Sequence, residues 1–239
     1  ATQFTWTYDN VVPTLAITST TSGVTSGSTT NDSTIALRFT ASKAATGFAA
    51  NDITVSGGSL SNFTVVSSTV YTATFTPTEA GATSVDVAGN KFTDVAGNNN
   101  SAATQFTWTY DNVVPTMAIT STTSGVSSGS TTNDSTIALR FTSSRATADF
   151  VVGDITVSGG SLSSFTAVSS TVYTATFTPS SAGVTTINVN AGAFSDSVAG
   201  NNNTAATQFT WTYDNVAPTM AITSTTSGVT SGSTTNDST

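Results

Sequence analysis

The sequence predicts an all-β protein built from antiparallel β-sandwiches strung in a tandem, linear array. Three observations carry this: a long internal repeat, apolar residues that alternate with polar ones at period two, and turn clusters at short, even spacing. The stretch ATQFTWTYDNVVPT at 1–14 returns unchanged at 103–116 and with one substitution at 206–219. Self-similarity at about 100 residues is the size of one domain, so the chain is a window on copied modules.

Within one repeat the alternation can be followed strand by strand. Phe4, Trp6 and Tyr8 alternate with Gln3, Thr5 and Thr7. Successive strand side chains point to opposite faces, so the three aromatics are expected on one buried face and the hydroxyls in water. The same reading applies to Leu15 with Ile17, to Ile35, Leu37 and Phe39, to Tyr71, Ala73 and Phe75, and to Val85 with Val87. Threonine suits the outward positions because its branched Cβ fits a pleated surface while its hydroxyl stays hydrated. Clusters at 56–59 (SGGS), 77–81 (PTEAG) and 97–100 (GNNN) supply the turns, since Gly and Asn tolerate positive φ and Pro presets a turn. Seven or so short strands per repeat is the pattern of a sandwich. A β-solenoid would show a sub-period of about 20–30 residues, and none is present.

The boundary between repeats falls at YDNVVPT, residues 8–14, 110–116 and, as YDNVAPT, 213–219. Pro13, Pro115 and Pro218 end one strand and stiffen the crossing to the next module. This divides the chain into a closing strand of a preceding repeat (1–12), repeat 1 (13–114), repeat 2 (115–217) and the opening segment of a third (218–239). A linker so short predicts a rod, gaining roughly 30–40 Å per module. The first closing strand is expected to lack its own core; completion of one chain's open module by a neighbour's strand is the variant reading. Residues 18–31, TSTTSGVTSGSTTN, are low in complexity with Val24 as their single apolar residue, and read as an exposed loop or ragged edge strand with hydroxyls open to O-glycans.

Composition narrows the function classes. Only 8% of residues are charged, and 13 acids against 5 bases give a net charge of −8. The bases Arg38, Lys43, Lys91, Arg140 and Arg145 are too scattered to track phosphates, which argues against nucleic acid as a partner. Cys and His are absent, so no disulfide framework or thiolate metal site exists. No apolar run is long enough to span a bilayer in this segment. Catalysis has little to work with: Glu79 is the one Glu, and no G-x-S-x-G elbow stands out.

The run from Asn31 to Thr64, the YTATFTPTEAG strand at 71–81, FTDVAGNNN at 92–100 and the DNVVPT junction resemble the bacterial Ig-like domain family. The match recurs through both complete repeats. The resemblance implies an Ig-like sandwich acting as a spacer in secreted adhesins and other surface proteins. It departs from antibody-type domains, having no Cys pair and carrying its Trp on the final strand.

Acids recur at equivalent places: Asp9/Asp111/Asp214, Asp32/Asp134/Asp237, Asp52/Asp154 and Asp94/Asp196. One reading is Ca2+ at the junctions, which takes six to eight oxygens from carboxylates, amides and backbone. Its ligands would be Asp9, Asn10, Asp94 and Asn98, then Asp111, Asn112, Asp196 and Asn201, with Asp214 opening the next site. The resemblance to adhesin arrays adds to this reading, since it implies calcium that stiffens linkers. The other reading, which the sequence favours, is that these residues cap turns; the extra residue in Asp196–Ser197–Val198–Ala199 relative to Asp94–Val95–Ala96 supports it. Six Asn-x-Ser/Thr sequons stand at Asn31, Asn62, Asn99, Asn133, Asn202 and Asn236. The aromatic strand can be read as a sugar-stacking platform, but period-two spacing favours core burial.

The expectation is a non-enzymatic structural repeat of an extracellular filament, stalk or long surface adhesin. Its partner would be itself, through end-to-end modules and lateral filament packing. The alternative is a glycan- or calcium-dependent adhesive module meeting cell-surface glycans.

Overall fold

A computed structural model of the chain describes residues 1–236 and 238; Asp237, one of the recurring acids, lies outside the described residues. The first module runs β1 (Leu15–Ser19), β2 (Thr29–Thr30), β3 (Ile35–Ala41), β4 (Ala45–Thr46), β5 (Ile53–Ser56), β6 (Gly58–Val65), β7 (Val70–Pro77), β8 (Gly81–Val87), β9 (Thr93–Asp94) and β10 (Phe106–Tyr110). Two four-stranded sheets face each other, in the orders β1-β3-β7-β6 and β2-β10-β8-β5. Every pairing in them is antiparallel except β2 with β10, which is parallel. This is the two-sheet division of a constant-type Ig sandwich, with β2 added beside the last strand.

The second module repeats the scheme with β11 (Met117–Ser121), β12 (Thr131–Thr132), β13 (Ile137–Ser143), β14 (Ile155–Ser158), β15 (Gly160–Ala167), β16 (Val172–Pro179), β17 (Gly183–Val189) and β18 (Phe209–Tyr213), in the orders β11-β13-β16-β15 and β12-β18-β17-β14. One local difference separates them. In module 1, β4 pairs with β9. In module 2 the Asp149 carboxylate takes that role, accepting from the Ser195 N–H and hydroxyl.

The alternation read from the sequence sets the core. Ile35, Leu37 and Phe39 from β3, Tyr71, Ala73 and Phe75 from β7, Val85 and Val87 from β8, and Phe106 with Trp108 from β10 are all buried in one cluster. Trp108 and Trp211 are 1% and 0% exposed. Each indole stands edge-on to a Phe of the opposite sheet, Phe75 or Phe177. A second knot of rings forms around Phe48, 4.9 Å from Tyr71 and 5.3 Å from Phe92 between centroids. Even the buried hydroxyls are satisfied: Thr83 and Thr185 donate to the carbonyls of Trp108 and Trp211.

Three stretches lie apart from the simple alternation read from the sequence. The first aromatic copy is not a strand, and Trp6 is 73% exposed, because burial comes from the sheet a copy joins and not from its own pattern. The described residues of the copy beginning the third repeat are likewise without strands, with Met220 and Ile222 exposed. Of the two readings of the low-complexity segment, the structure shows the edge strand: the segment ends in β2 at the sheet edge against β10, and its Val24, unlike an exposed loop, is buried in the core.

The SGGS turn between β5 and β6 carries the chain from one sheet to the other. Gly57 takes a φ of +74°, and a Cβ on Gly58 would lie 2.4 Å from the Phe75 ring and 2.5 Å from Thr76 O. Edge strands β6 and β15 each break register, between Ser61 and Thr64 and between Ser163 and Thr166, around a positive-φ Asn62 or Ser164.

Gly58→Ala should therefore destabilise module 1 by about 1–3 kcal/mol through overpacking, and Trp108→Ala by about 3–5 kcal/mol through loss of the indole. Chemical denaturation followed by circular dichroism measures both; an unchanged midpoint for Gly58→Ala would contradict the close approach.

Candidate functional site

The short linker is stitched to the module that follows it. Pro13 is buried and its carbonyl accepts from Ser101 N–H, while Thr14 N–H donates to Ser42 Oγ and Ser42 N–H to Thr14 O. Pro115 and Thr116 repeat these bonds with Thr204 and Ser144. A proline at this position sets the direction of the chain at no cost in donors.

Ahead of that proline, Asp9 turns back on itself, its Oδ1 accepting from Val11 N–H at 3.0 Å. The Lys43 ammonium then sits 2.7 and 2.6 Å from the two Asp9 oxygens, 2.7 Å from Val11 O and 2.8 Å from Asp94 Oδ2. Asn98 joins them, its Nδ2 donating to Asp9 O at 3.0 Å and to Asp94. Asp94 is buried and also accepts from the N–H groups of Ala96 and Asn98.

The second junction has the same plan. Arg145, on the place of Lys43, pairs through Nη2 with Asp111 Oδ2 and lies 3.6 Å through Nε from Asp196 Oδ2. Its Nε is buried without a hydrogen-bond partner, so this pair is less fully bonded than the lysine one. Asn201 Nδ2 donates to Asp111 O at 3.0 Å. The residue added after Asp196 enlarges the turn: Val198 and Ala199 donate to Oδ1 and Asn201 N–H to Oδ2, while Ser197 N–H reaches Ala146 O. The enlarged turn still delivers its Asn to the linker.

Asp111 is also bonded backwards. Its N–H donates to Thr30 O of module 1 at 3.0 Å, and Asn31 Nδ2 of module 1 reaches Gly200 O of module 2 at 3.2 Å. One residue is thus held by both modules at once.

The structure therefore brings together Asp9, Asp94 and Asn98, and separately Asp111, Asp196 and Asn201, as the calcium reading grouped them. It sets Lys43 and Arg145 among them, which sequence reasoning missed because a single basic residue far along the chain carries no local signal. Asn10 and Asn112 are exposed on the linker, and Asp214 is exposed with its Oδ1 on Val216 N–H. No group of three or more metal-ligating side chains occurs among the described residues. Other recurring acids cap turns: Asp52 and Asp154 accept from the N–H groups of Ala49 and Val151, and Asp32 and Asp134 from the hydroxyls of Thr30 and Thr132. All six sequon asparagines, Asn31, Asn62, Asn99, Asn133, Asn202 and Asn236, are exposed. A second missed group is Asn100, buried in the turn after β9, whose amide bonds the N–H groups of Lys91 and Phe92 and the carbonyls of Ala88 and Ser101. No helix among the described residues is long and apolar enough to cross a membrane.

Charge explains how tightly this cluster is set. The Lys43 ammonium holds both Asp9 and Asp94 below the usual carboxylate range, and the two carboxylates hold Lys43 above its own. For Asp196 burial pushes upward, but the N–H groups of Ala199, Val198 and Asn201 together bring it below the ordinary value.

These directions fix a pH window. The depressed carboxylates stabilise the fold above their unfolded pKa, and that contribution is lost as pH falls below about 4. The raised lysine stabilises it below its unfolded pKa, and that contribution is lost as pH rises above about 10. The melting temperature of module 1 should hold across the interval and fall outside it. In Lys43→Met the fall below pH 4 should be shallower, because Asp9 and Asp94 no longer have a cation to lose. Equal slopes for both proteins would contradict the assignment.

A model of the bacterial Ig-like domain family matches residues 9–110 and again residues 111–213. Among solved structures the chain is similar in fold to the adhesin FdeC of Escherichia coli, at 14% identity and a TM-score of 0.38, over 86% of this chain and 64% of that one. It is similar also to InvD of Yersinia pseudotuberculosis, at 18% identity and 0.32, over 87% and 60%, and to invasin, a bacterial integrin-binding protein, at 17% and 0.34, over 73% and 36%. The chain thus spans less than two thirds of each of those chains. No curated protein matches it. With the family pattern found twice in succession along nearly its whole length, the chain belongs to the bacterial Ig-like domain family, as two tandem copies.

Proposed function

We propose that this chain is a length-giving, non-catalytic section of an extracellular filament, stalk or long surface adhesin, whose modules are held at a restricted angle by an ion-paired junction. The observation that carries the reading is Asp111, bonded through its N–H to module 1 and through its carboxylate and carbonyl to module 2. A linker gripped from both sides loses the freedom of a tether. The cation in each junction belongs to the chain, so stiffness requires no calcium. End-to-end repetition of such junctions along the chain is what extends the array.

A sugar-binding reading needs an exposed aromatic floor. Within the two folded modules, Trp108 and Trp211 are instead buried. The depression of about 300 Å3 beside Trp108 is lined largely by Gly27, Ser56, Thr83, Ser84, Thr107 and Thr109. The six exposed sequons suit a glycan-coated surface where the source cell attaches N-glycans.

Small-angle scattering on the whole chain tests the junction. Asp111→Ala should broaden the distribution of end-to-end distances, while the two-sheet core of each module stays folded. EGTA should leave the wild-type curve unchanged. A contraction or broadening on EGTA would favour the calcium-dependent alternative, and no response to Asp111→Ala would overturn the ion-paired junction.

A further inference from the structure

The low-complexity segment has no chemistry of its own, yet its second half is bonded along the strand that ends the module. Gly27 N–H donates to Thr107 O at 2.8 Å, Thr109 N–H to Ser28 O at 2.9 Å and Asp111 N–H to Thr30 O at 3.0 Å. Two side chains add to these: Thr107 N–H donates to Ser26 Oγ, and Trp108 Nε1–H to Thr30 Oγ1, both at 3.1 Å. Module 2 reproduces the set: Gly129 to Thr210 O, Thr212 to Ser130 O, Asp214 to Thr132 O, Thr210 to Ser128 Oγ and Trp211 to Thr132 Oγ1.

The direction of the pairing gives these bonds a mechanical meaning. β2 comes early in the module, β10 comes last, and the two run parallel. Tension along the chain draws the early segment toward one end of the module and β10 toward the other. Between parallel neighbours that pull runs along the strands and loads all the bonds together. An antiparallel hairpin opened from one end gives up its bonds singly.

The segment is also anchored against sliding. Val24 is 3% exposed and Val126 6%, each a plug in its core. The Ser28 hydroxyl closes a turn on the N–H and carbonyl of Thr25, and Ser130 does the same on Ser127. The last bond of the series belongs to Asp111, whose carboxylate Arg145 holds, so tension leaving β10 passes directly into the next module.

We infer that the β2–β10 and β12–β18 pairs are shear clips, and that the Ser/Thr/Gly-rich segment exists to resist tension along the array. This goes beyond the spacing function and stands whether or not the modules keep a restricted angle.

Single-molecule force spectroscopy on the full chain tests it. Tethered by its two ends, the chain should unfold in two steps, each releasing on the order of 300 Å of chain at about 3.5 Å per residue. The protein has no cysteine, so Ser67→Cys gives a unique handle in the turn between β6 and β7. Pulling between the N-terminus and residue 67 bypasses β10, and the force on module 1 should fall by about half or more as bonds part singly. Equal forces in the two geometries would overturn the inference. The double variant Ser26→Ala, Thr30→Val should weaken one of the two end-to-end steps and leave the bypass force unchanged. An equal loss in both geometries would mean general destabilisation and would overturn it as well.

Discussion

Burial of one indole on the last strand is the interaction on which the rest of each module depends. Trp108 lies on β10, between β2 on one side and β8 on the other, and stacks edge-on against Phe75 of the opposite sheet. Seating it completes the core, places the backbone carbonyl that Thr83 caps, and sends Nε1–H to Thr30. The chain then leaves the module three residues later, at Asp111. Core, early segment and junction are thus fixed by a single strand.

The junction applies the same economy to charge. A carboxylate that is buried needs a partner or a set of N–H donors. Asp94 and Asp196 have both, from their own tight turns and from the basic residue that follows β3 or β13. Lysine and arginine fill that place differently. Lys43 is a compact charge that meets four oxygens, whereas Arg145 offers a planar fork and leaves its Nε unsatisfied. The two junctions therefore share a plan and differ in how completely it is met.

Much of the fold was legible because it is written locally. Period-two triplets such as Ile35-Leu37-Phe39 and Tyr71-Ala73-Phe75 name their own buried face, and SGGS names its crossing. The recurring acids and Asn98 or Asn201 were also legible as a junction group. What the sequence concealed is what depends on distant partners. Lys43 lies far along the chain from Asp9, and its identity changes to Arg145 in the next copy, so neither spacing nor repetition marks it. Val24 is a lone apolar residue in a polar tract, a pattern that reads as exposure until β10 is seen beside it. Trp6 is exposed, as expected of a closing strand without its own core, because period two describes a face and not the sheet that covers it.

The register break in β6 and β15 bears on how so repetitive a protein keeps its copies apart. Arrays of near-identical sandwiches present the same unpaired strand edge many times over, on one molecule and on every molecule beside it. Straight edges would zip together, since each is the other's matching sequence. The break at Asn62 and Ser164 limits such pairing along this edge to a few residues, which lets a repeat be copied without offering each copy a long matching edge there.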